Sequence, residues 1–560
     1  LSTEDIVGRV VGVEDATPLE FWVAVSPGEV LQLDDIVALE RPLPDGSTVR
    51  MYGVVTDVRA RHEGPRFASD VFLVEEGKLP AGVVEVALVS VTRVEPEVFV
   101  PPLPGAAVRR AREAERAAAL SVVGVERALP VGLSRDGDPV VVDLEFLDGT
   151  RGAHLNVSGI SGVATKTSYA TFLLYSVLTS GVLGAEAANT KALVFNVKGE
   201  DLLFLDRPNA RLPEEERQRY RALGLAAGPF PSVQVFAPPR VGPSLVPDVS
   251  SRSTGVVAYA WTLAAFCEEG LLPYLFADVE DERQQYTMVV YNVAARLKRE
   301  ARPGPGGSVV LDGQTLRTFD ELVEFVAERV QDEVTSFDWA GRAVGRGTVD
   351  AFVRRLWASR RAVGRLIRGD LDDQARHEVR LDRQVTVVDL HTLPDRAKRF
   401  VVGVVLRRAF EDKERSGQAR PLLFVLLDEL NKYAPREGWS PIKELLLDVA
   451  ERGRSLGVIL LGCQQTASEV ERRVVANCSI RVVGRLDPAE ATRDEYRFLQ
   501  PPSLRQRATV LRPGTMVVSQ PGVPVPLVVE FPFPAWATRP SEAVLEAVGP
   551  SDPFEGLPEG

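Results

Sequence analysis

The chain has 560 residues, 45% of them hydrophobic, a formal net charge of −12 and three cysteines. That length allows two to four domains with ample apolar material, and the acidic balance excludes a global basic footprint for nucleic acid, though not a locally basic channel. Cysteines without metal spacing (Cys267, Cys463, Cys478), scattered histidines and no apolar run of the roughly 18 residues a membrane span needs point to a reduced, cytoplasmic protein with no membrane partner.

The chain opens on Leu1 rather than methionine, which suggests a trimmed N-terminus. Residues 6–100 are rich in Val, Gly and Pro, with short alternating segments (IVGRVVGVED, EFWVAVS, VVEVALVSVTRV) and turn signals such as Pro44-Asp45-Gly46. Helical periodicity is absent, so 1–104 is expected to be a small antiparallel β-barrel. Pro101–Pro104 reads as a stiff linker and Arg109–Leu120 as a short charged helix, so 105–127 is taken as a linker helix.

From about Ala128, strands and helices alternate as a parallel sheet requires. His154–Val157 (HLNV) predicts a short strand, GISGVATKTS follows from Gly159 to Ser168, and YATFLLYSVLTSG has helical periodicity. Strand, glycine-containing loop, Lys-Thr and helix is the order that cradles phosphates. Gly159, Ser161, Gly162, Thr165, Lys166, Thr167 and Ser168 are the candidate binding residues, Lys166 for the β- and γ-phosphates and the Thr167 hydroxyl for magnesium. The spacing is irregular. Glycines are expected six residues and one residue before the lysine, where Ile160 and Thr165 stand; Gly159 and Gly162 lie seven and four before it.

Residues 128–246 are expected to form the first part of an α/β core, RecA-like if it carries the phosphate loop, and 247–378, helical and charged, an insertion within it. Residues 379–530 complete the core and 531–560 form a C-terminal extension. Core strands are expected at Ala192–Val197, Val233–Ala237, Thr386–Leu390, Leu422–Leu427, Val458–Gly462 and Ile480–Arg485. The segment RPLLFVLLDELNKYAP (420–435) is the most informative. Its six apolar residues read as a strand buried on both faces, and Asp428 and Glu429 emerge at its C-terminal end, where open α/β sheets bind ligands. In P-loop NTPases the first such carboxylate supports magnesium, and the adjacent glutamate polarises the attacking water.

HLNVSGISGVATKTS, ALVFNVKGED, QVTVVDLHTL, LLFVLLDELNKYAP, ERGRSLGVILLGCQQ and NCSIRVVGRLD, in this order, resemble the HerA family within the HerA/FtsK group of hexameric P-loop ATPases. The resemblance covers essentially the whole chain. It implies ATP and Mg2+ as cofactors, a homo-oligomeric ring (a hexamer), movement along double-stranded DNA, and a nuclease of the NurA type as partner in DNA end processing and recombinational repair. Asn196 departs from the family's common aspartate.

By the same resemblance Arg454, in the pair Gly453-Arg454, is the arginine that completes a neighbouring subunit's site, with Arg452 as second choice. A guanidinium there can neutralise charge developing on the γ-phosphate; surface arginines at a helix terminus are the plain alternative. Gln464, at a strand end, matches the family's glutamine sensing the γ-phosphate or attacking water, against a neutral turn role. Glu200 matches a Gly-Glu motif and either acts near the nucleotide or subunit interface or caps a helix. Arg485 either contacts phosphate or pairs with Asp487 or another acid. Lys432 and Arg436, just after Asp428-Glu429, are the candidates for contact with DNA phosphates. The basic run Arg354, Arg355, Arg360, Arg361, Arg365, Arg368 is read equally as a solvated or inter-helix surface. Residues 1–100 are expected to dock a partner and stabilise the ring. Two other functions fit the motifs: a ring scaffold with a decayed phosphate loop in an effector or phage-defence assembly, and a DNA pump of the FtsK or conjugation type.

Overall fold

The computed structural model describes residues 6–65, 67–120, 124–160, 162, 166–242, 244–252, 254–276, 284–342, 344–371 and 374–543. Six antiparallel strands, β1 (Ile6–Val10), β2 (Glu20–Val25), β3 (Ile36–Pro42), β4 (Thr48–Glu63), β5 (Gly82–Glu95) and β6 (Ala107–Arg110), close a barrel in the order β1-β2-β5-β4-β3-β6. Strand alternation sorts β3 into two cores: Val37 and Leu39 fill the barrel, whereas Ile36 and Ala38 join the core of the next domain. The barrel therefore runs past the expected boundary at 104. Arg109, expected at the start of a helix, lies in the strand that closes the barrel, and the helix spans Glu113–Ala119.

The second domain is built on a twelve-stranded sheet. Its strands in chain order begin with β7 (Ala128–Leu133), β8 (Pro139–Asp143), β9 (Leu155–Ser158), β10 (Lys191–Asn196), β11 (Val233–Ala237) and β12 (Val256–Ala258). The insertion then carries β13 (Trp261–Thr262) paired with β17 (Ile367–Arg368), and a small sheet of β14 (Arg302–Pro303), β15 (Val309–Leu311) and β16 (Gln314–Leu316). The large sheet resumes with β18 (Val385–Asp389), β19 (Leu423–Leu427), β20 (Val458–Gln464), β21 (Ile480–Val483), β22 (Thr515–Ser519) and β23 (Leu527–Glu530). The strand order is β12-β11-β18-β10-β19-β20-β9-β21-β22-β23-β7-β8. Strands from β12 to β21 are parallel, and those beyond β21 pair antiparallel.

The unbroken apolar run 422–427 is explained by two covered faces. Leu423, Val425 and Leu427 pack with the insertion and the helix Asp395–Ser416, while Leu422, Phe424 and Leu426 pack with the helix Lys166–Thr179. The expected strands are present within a residue or two. The insertion begins later than expected, because β12 is the edge strand of the core sheet. Its arginines are partly spent on the protein itself: Arg360 pairs with Asp320 at 2.6 Å, Arg365 with Asp248 at 2.8 Å and Arg368 with Asp370 at 2.5 Å.

The expected C-terminal extension is, as far as Ala543, part of the core. Trp536 is buried against Tyr175 and Phe230, and Asn209 receives the chain through the carbonyls of Ala535 and Pro534. The barrel docks through Ile36, Ala38, Tyr52 and Val54 against a core that includes Leu120 and Leu129. Arg507, on the helix Pro502–Ala508, pairs with Asp34 through both terminal nitrogens at 2.8 and 2.6 Å. Among the described residues no helix is long and apolar enough to cross a membrane.

Candidate functional site

β9 ends at Ser158, and the helix Lys166–Thr179 begins at Lys166 and runs buried almost all round under the sheet. A helix start carries unpaired N–H groups and partial positive charge, an arrangement suited to an oxyanion. On the far side of β20, β19 delivers Asp428. Lys166 Nζ donates to Asp428 Oδ1 at 2.9 Å, and the Thr167 hydroxyl donates to Oδ2 at 2.9 Å. The Glu429 backbone N–H donates to Oδ1 at 2.8 Å. Three residues named from two distant motifs thus meet in one buried cluster, with 3% of the Lys166 side chain exposed and 9% of Asp428. Burying such a pair is costly unless its lone pairs are satisfied; Asp428 accepts from three donors.

A primary amine, an aliphatic hydroxyl and a carboxylate beside a helix N-terminus are the donor and acceptor set that a magnesium–phosphate group needs. The residues present fit it. Gly159 and Gly162 stand in the loop and Ser168 in the first turn of the helix. Ser161 and Thr165 lie outside the described residues.

Glu429 has a left-handed backbone (φ 55°) at the strand end and is buried. Lys198 forms an ion pair with its Oε1, and Lys432 Nζ lies 2.8 Å from Oε2. Burial alone would push this carboxyl up, but the two ammonium groups outweigh it and hold the group below the usual glutamate value. Lys432 is raised in turn, chiefly by its hydrogen bond to Glu429. Lys198 was not among the expected site residues. The available signal was its position directly after a buried strand, at the same sheet edge as Asp428.

The turn after β10 is held by Asn196, whose Nδ2 donates to Gly199 O at 2.9 Å and to Asp389 Oδ1 at 2.8 Å. This accounts for the amide: an aspartate here would set a second carboxylate against the fully buried Asp389. Glu200 faces His391 at 3.8 Å, and His391 Nδ1 sits 2.8 Å from Asp389. The hydrogen bond to Asp389 raises the His391 pKa against the opposing effect of burial. Glu200 therefore belongs to a neighbouring cluster and caps no helix among the described residues.

Gln464 lies inside the sheet. Its side chain is fully buried, and Nε2 donates to Asn156 Oδ1 and Ser158 Oγ, both at 2.8 Å. Strand alternation puts it on the face of β20 opposite Cys463, and Cys463 is the one beside Lys166, with Sγ 3.9 Å from its carbonyl. The amide of Gln464 stitches β20 to β9. Asn156 and Ser158, its partners, were not singled out from sequence.

Arg454 donates to the carbonyls of Gly149 (3.0 Å) and Thr150 (2.7 Å), and it precedes β20. With Asp428 at the other end of the neighbouring strand, it stands roughly 20 Å from the carboxylates of this chain, at about 3.3 Å per strand residue. Arg452 pairs with Glu414. The Arg485 side chain is exposed and donates to Thr509 O at 3.2 Å, while its carbonyl accepts from Ile160 N at 2.8 Å. Its backbone thus anchors the loop. Arg436 donates to Ser468 O at 2.8 Å and Glu495 at 3.0 Å. Both residues expected to grip DNA, Lys432 and Arg436, are thus engaged by acids of this chain.

No protein-family model matches the chain, and no curated protein sequence matches it. Among solved structures it is similar to VirB4 of Thermoanaerobacter pseudethanolicus, with 16% identity over 72% of this chain and 96% of that one, at a TM-score of 0.43. It is also similar to the bacterial conjugative coupling protein TrwBΔN70 in complex with sulphate, with 13% identity over 76% and 94% of the two chains, at 0.47. The genome-packaging NTPase B204 of Sulfolobus turreted icosahedral virus 2, in complex with ATP-γS, matches at 11% identity over 27% and 68%, at 0.20. All three likenesses are distant.

Proposed function

We infer that this chain is a P-loop ATPase that binds magnesium–ATP at Lys166, Thr167 and Asp428 and drives DNA movement as a homo-oligomer. The observation that carries the reading is the meeting of Lys166 and Thr167 on both oxygens of Asp428, from positions 262 and 261 residues apart. Lys166 holds phosphate charge, Thr167 and Asp428 take the metal, and the magnesium supplies charge neutralisation on the phosphates. Glu429 orients and deprotonates water. Arg454, remote from its own subunit's carboxylates, acts on a neighbour's nucleotide.

ATP turnover with magnesium tests this. Glu429→Gln should retain nucleotide binding and lose hydrolysis by about 100-fold or more, and wild-type turnover in that variant would remove Glu429 from the chemistry. Mixing Arg454→Ala with Glu429→Gln subunits should regenerate sites holding both wild-type groups. The task of the motor is read first as pumping double-stranded DNA, a reading that goes beyond the names conjugative coupling protein and genome-packaging NTPase carried by the solved structures above. A motor paired with a NurA-type nuclease is the second reading, and co-purification with such a nuclease would favour it.

A further inference from the structure

The strands of the barrel are unequal. β1, β2, β3 and β6 hold four to seven residues each, whereas β4 has 16 and β5 has 14. Pairing of β4 with β3 ends at Val54 and pairing of β5 with β2 ends at Val86, yet β4 and β5 go on pairing each other as far as Glu63 and Gly82. The excess is a two-stranded arm, 59–63 against 82–86, whose outer edges pair with no strand among the described residues. A lone hairpin is marginal in water, and open strand edges invite other chains. The end of the arm is apolar as well. No residue of the helix Asp70–Glu75 is buried, Phe67 and Phe72 are 73% and 65% exposed, and Val71 and Leu73 are exposed with them.

The opposite end of the barrel carries a groove. Leu19, Val91, Val94, Phe99, Pro521 and Pro524 line an open cavity of about 640 Å3 between the barrel and the turn joining β22 to β23, and Leu19 and Phe99 are exposed there. β5 runs from the arm to this groove. Gly82 and Val91 lie nine residues apart on it (91 minus 82), about 30 Å at 3.3 Å per residue, and Phe72 lies beyond Gly82. The arm of a chain therefore points away from that chain's own groove. Between 57 and 87 the chain has six acidic and four basic side chains. An excess of acid disfavours nucleic-acid phosphates and anionic lipid headgroups, which leaves a protein surface as the occupant. An apolar knob and an apolar groove that cannot meet within one molecule meet between molecules, in a head-to-tail contact.

We propose that the arm docks a second copy of this chain, with Phe67, Phe72 and Leu73 of one copy seated in the groove at Leu19 and Phe99 of the next. This deepens the homo-oligomer of the ATPase reading and is independent of its chemistry. Cross-linking of the full-length protein without nucleotide reads the contact directly. The native cysteines are buried, so Phe72→Cys and Phe99→Cys can be joined by a short bis-maleimide. The two variants mixed should give a link between chains, and neither alone should. A link within Phe72→Cys alone would mean that arms meet arms, and no link in the mixture would leave the groove unfilled; either result overturns the proposal.

Phe67→Ser combined with Phe72→Ser changes only exposed positions, so circular dichroism should show the melting of the wild type. Sedimentation should show association weakened by about 10-fold or more. Unchanged association overturns the docking and leaves the homo-oligomer intact. A wild type that stays a single copy at every concentration overturns both. Association that depends on the two phenylalanines, in a protein that hydrolyses no ATP, leaves the docking standing and overturns the ATPase reading. Loss of binding to phosphatidylserine vesicles in the double variant, with association unmoved, assigns the arm to a membrane surface and overturns the proposal.

Discussion

At the scale of single residues, the buried pair Lys166–Asp428 matters to the fold as well as to the proposed nucleotide site. Lys166→Ala leaves Asp428 buried with its charge uncompensated, a change that costs about 3–5 kcal/mol. Chemical denaturation should show that loss, and Lys166→Ala combined with Asp428→Ala should recover part of it. His154 supplies the pH dependence. It is buried in a left-handed conformation (φ 64°), and its Nδ1 accepts from Leu460 N at 3.0 Å. Burial lowers its pKa to about 4. The unfolded chain therefore binds a proton that the folded chain refuses. The contribution of His154 to stability is complete above about 6.5 and is lost as pH falls toward 4 and below, by on the order of 3 kcal/mol. Acid unfolding followed by circular dichroism, with the imidazole titrated by NMR, checks both the direction and the window. Lys166, Thr167 and Asp428 were legible in sequence because each motif fixes a position relative to a strand end. Lys198 was not, since its partner Glu429 lies 231 positions further along the chain (429 minus 198). Asn156 and Ser158, the partners of Gln464, were not legible either, because a strand end fixes proximity, whereas the pleat decides which face a side chain takes.

At the scale of elements, the apolar runs made the parallel strands easy to find, since a strand covered on both faces has no polar side to confuse the pattern. Short strands such as β6 and β12 were missed. Three or four alternating residues carry little periodicity, and β6 is fixed by closure of the barrel rather than by its own composition. The helix Pro441–Leu456 shows what composition does specify. Ser440 caps it by accepting from Lys443 N, and Gly457 ends it in a left-handed conformation (φ 69°). A Cβ at Gly457 would lie 1.8 Å from Ala419 O, so this glycine serves packing as well as backbone conformation. Gly457→Ala should destabilise the protein by more than about 1 kcal/mol, the loss when a side chain is forced into positive φ. A urea midpoint lowered at unchanged slope is the expected result. Since this turn leads into β20, binding at the Lys166 cluster should weaken with it.

At the scale of the whole molecule, the barrel is joined to the core by a shared apolar seam and by charged pairs around Asp34 and Asp35. Removing 1–110 would bare Leu120 and Leu129, so the truncated core should aggregate, as light scattering would record. Arg507→Ala should leave the barrel docked and cost less than about 2 kcal/mol, because the seam remains. Limited proteolysis should then cut between 111 and 128 faster than in the wild type. The opposed placement of Asp428 and Arg454 at the two ends of adjoining strands has a consequence for symmetry. An isologous pair, in which two copies present the same patch to each other, cannot bring one copy's arginine to the other's carboxylates and also repeat the contact onward. If Arg454 serves a neighbour as proposed, contacts that run on past two copies are head-to-tail, and such contacts either close into a ring or grow into a filament. Turnover should accordingly rise steeply with protein concentration, and keep rising beyond the concentration at which pairs have formed.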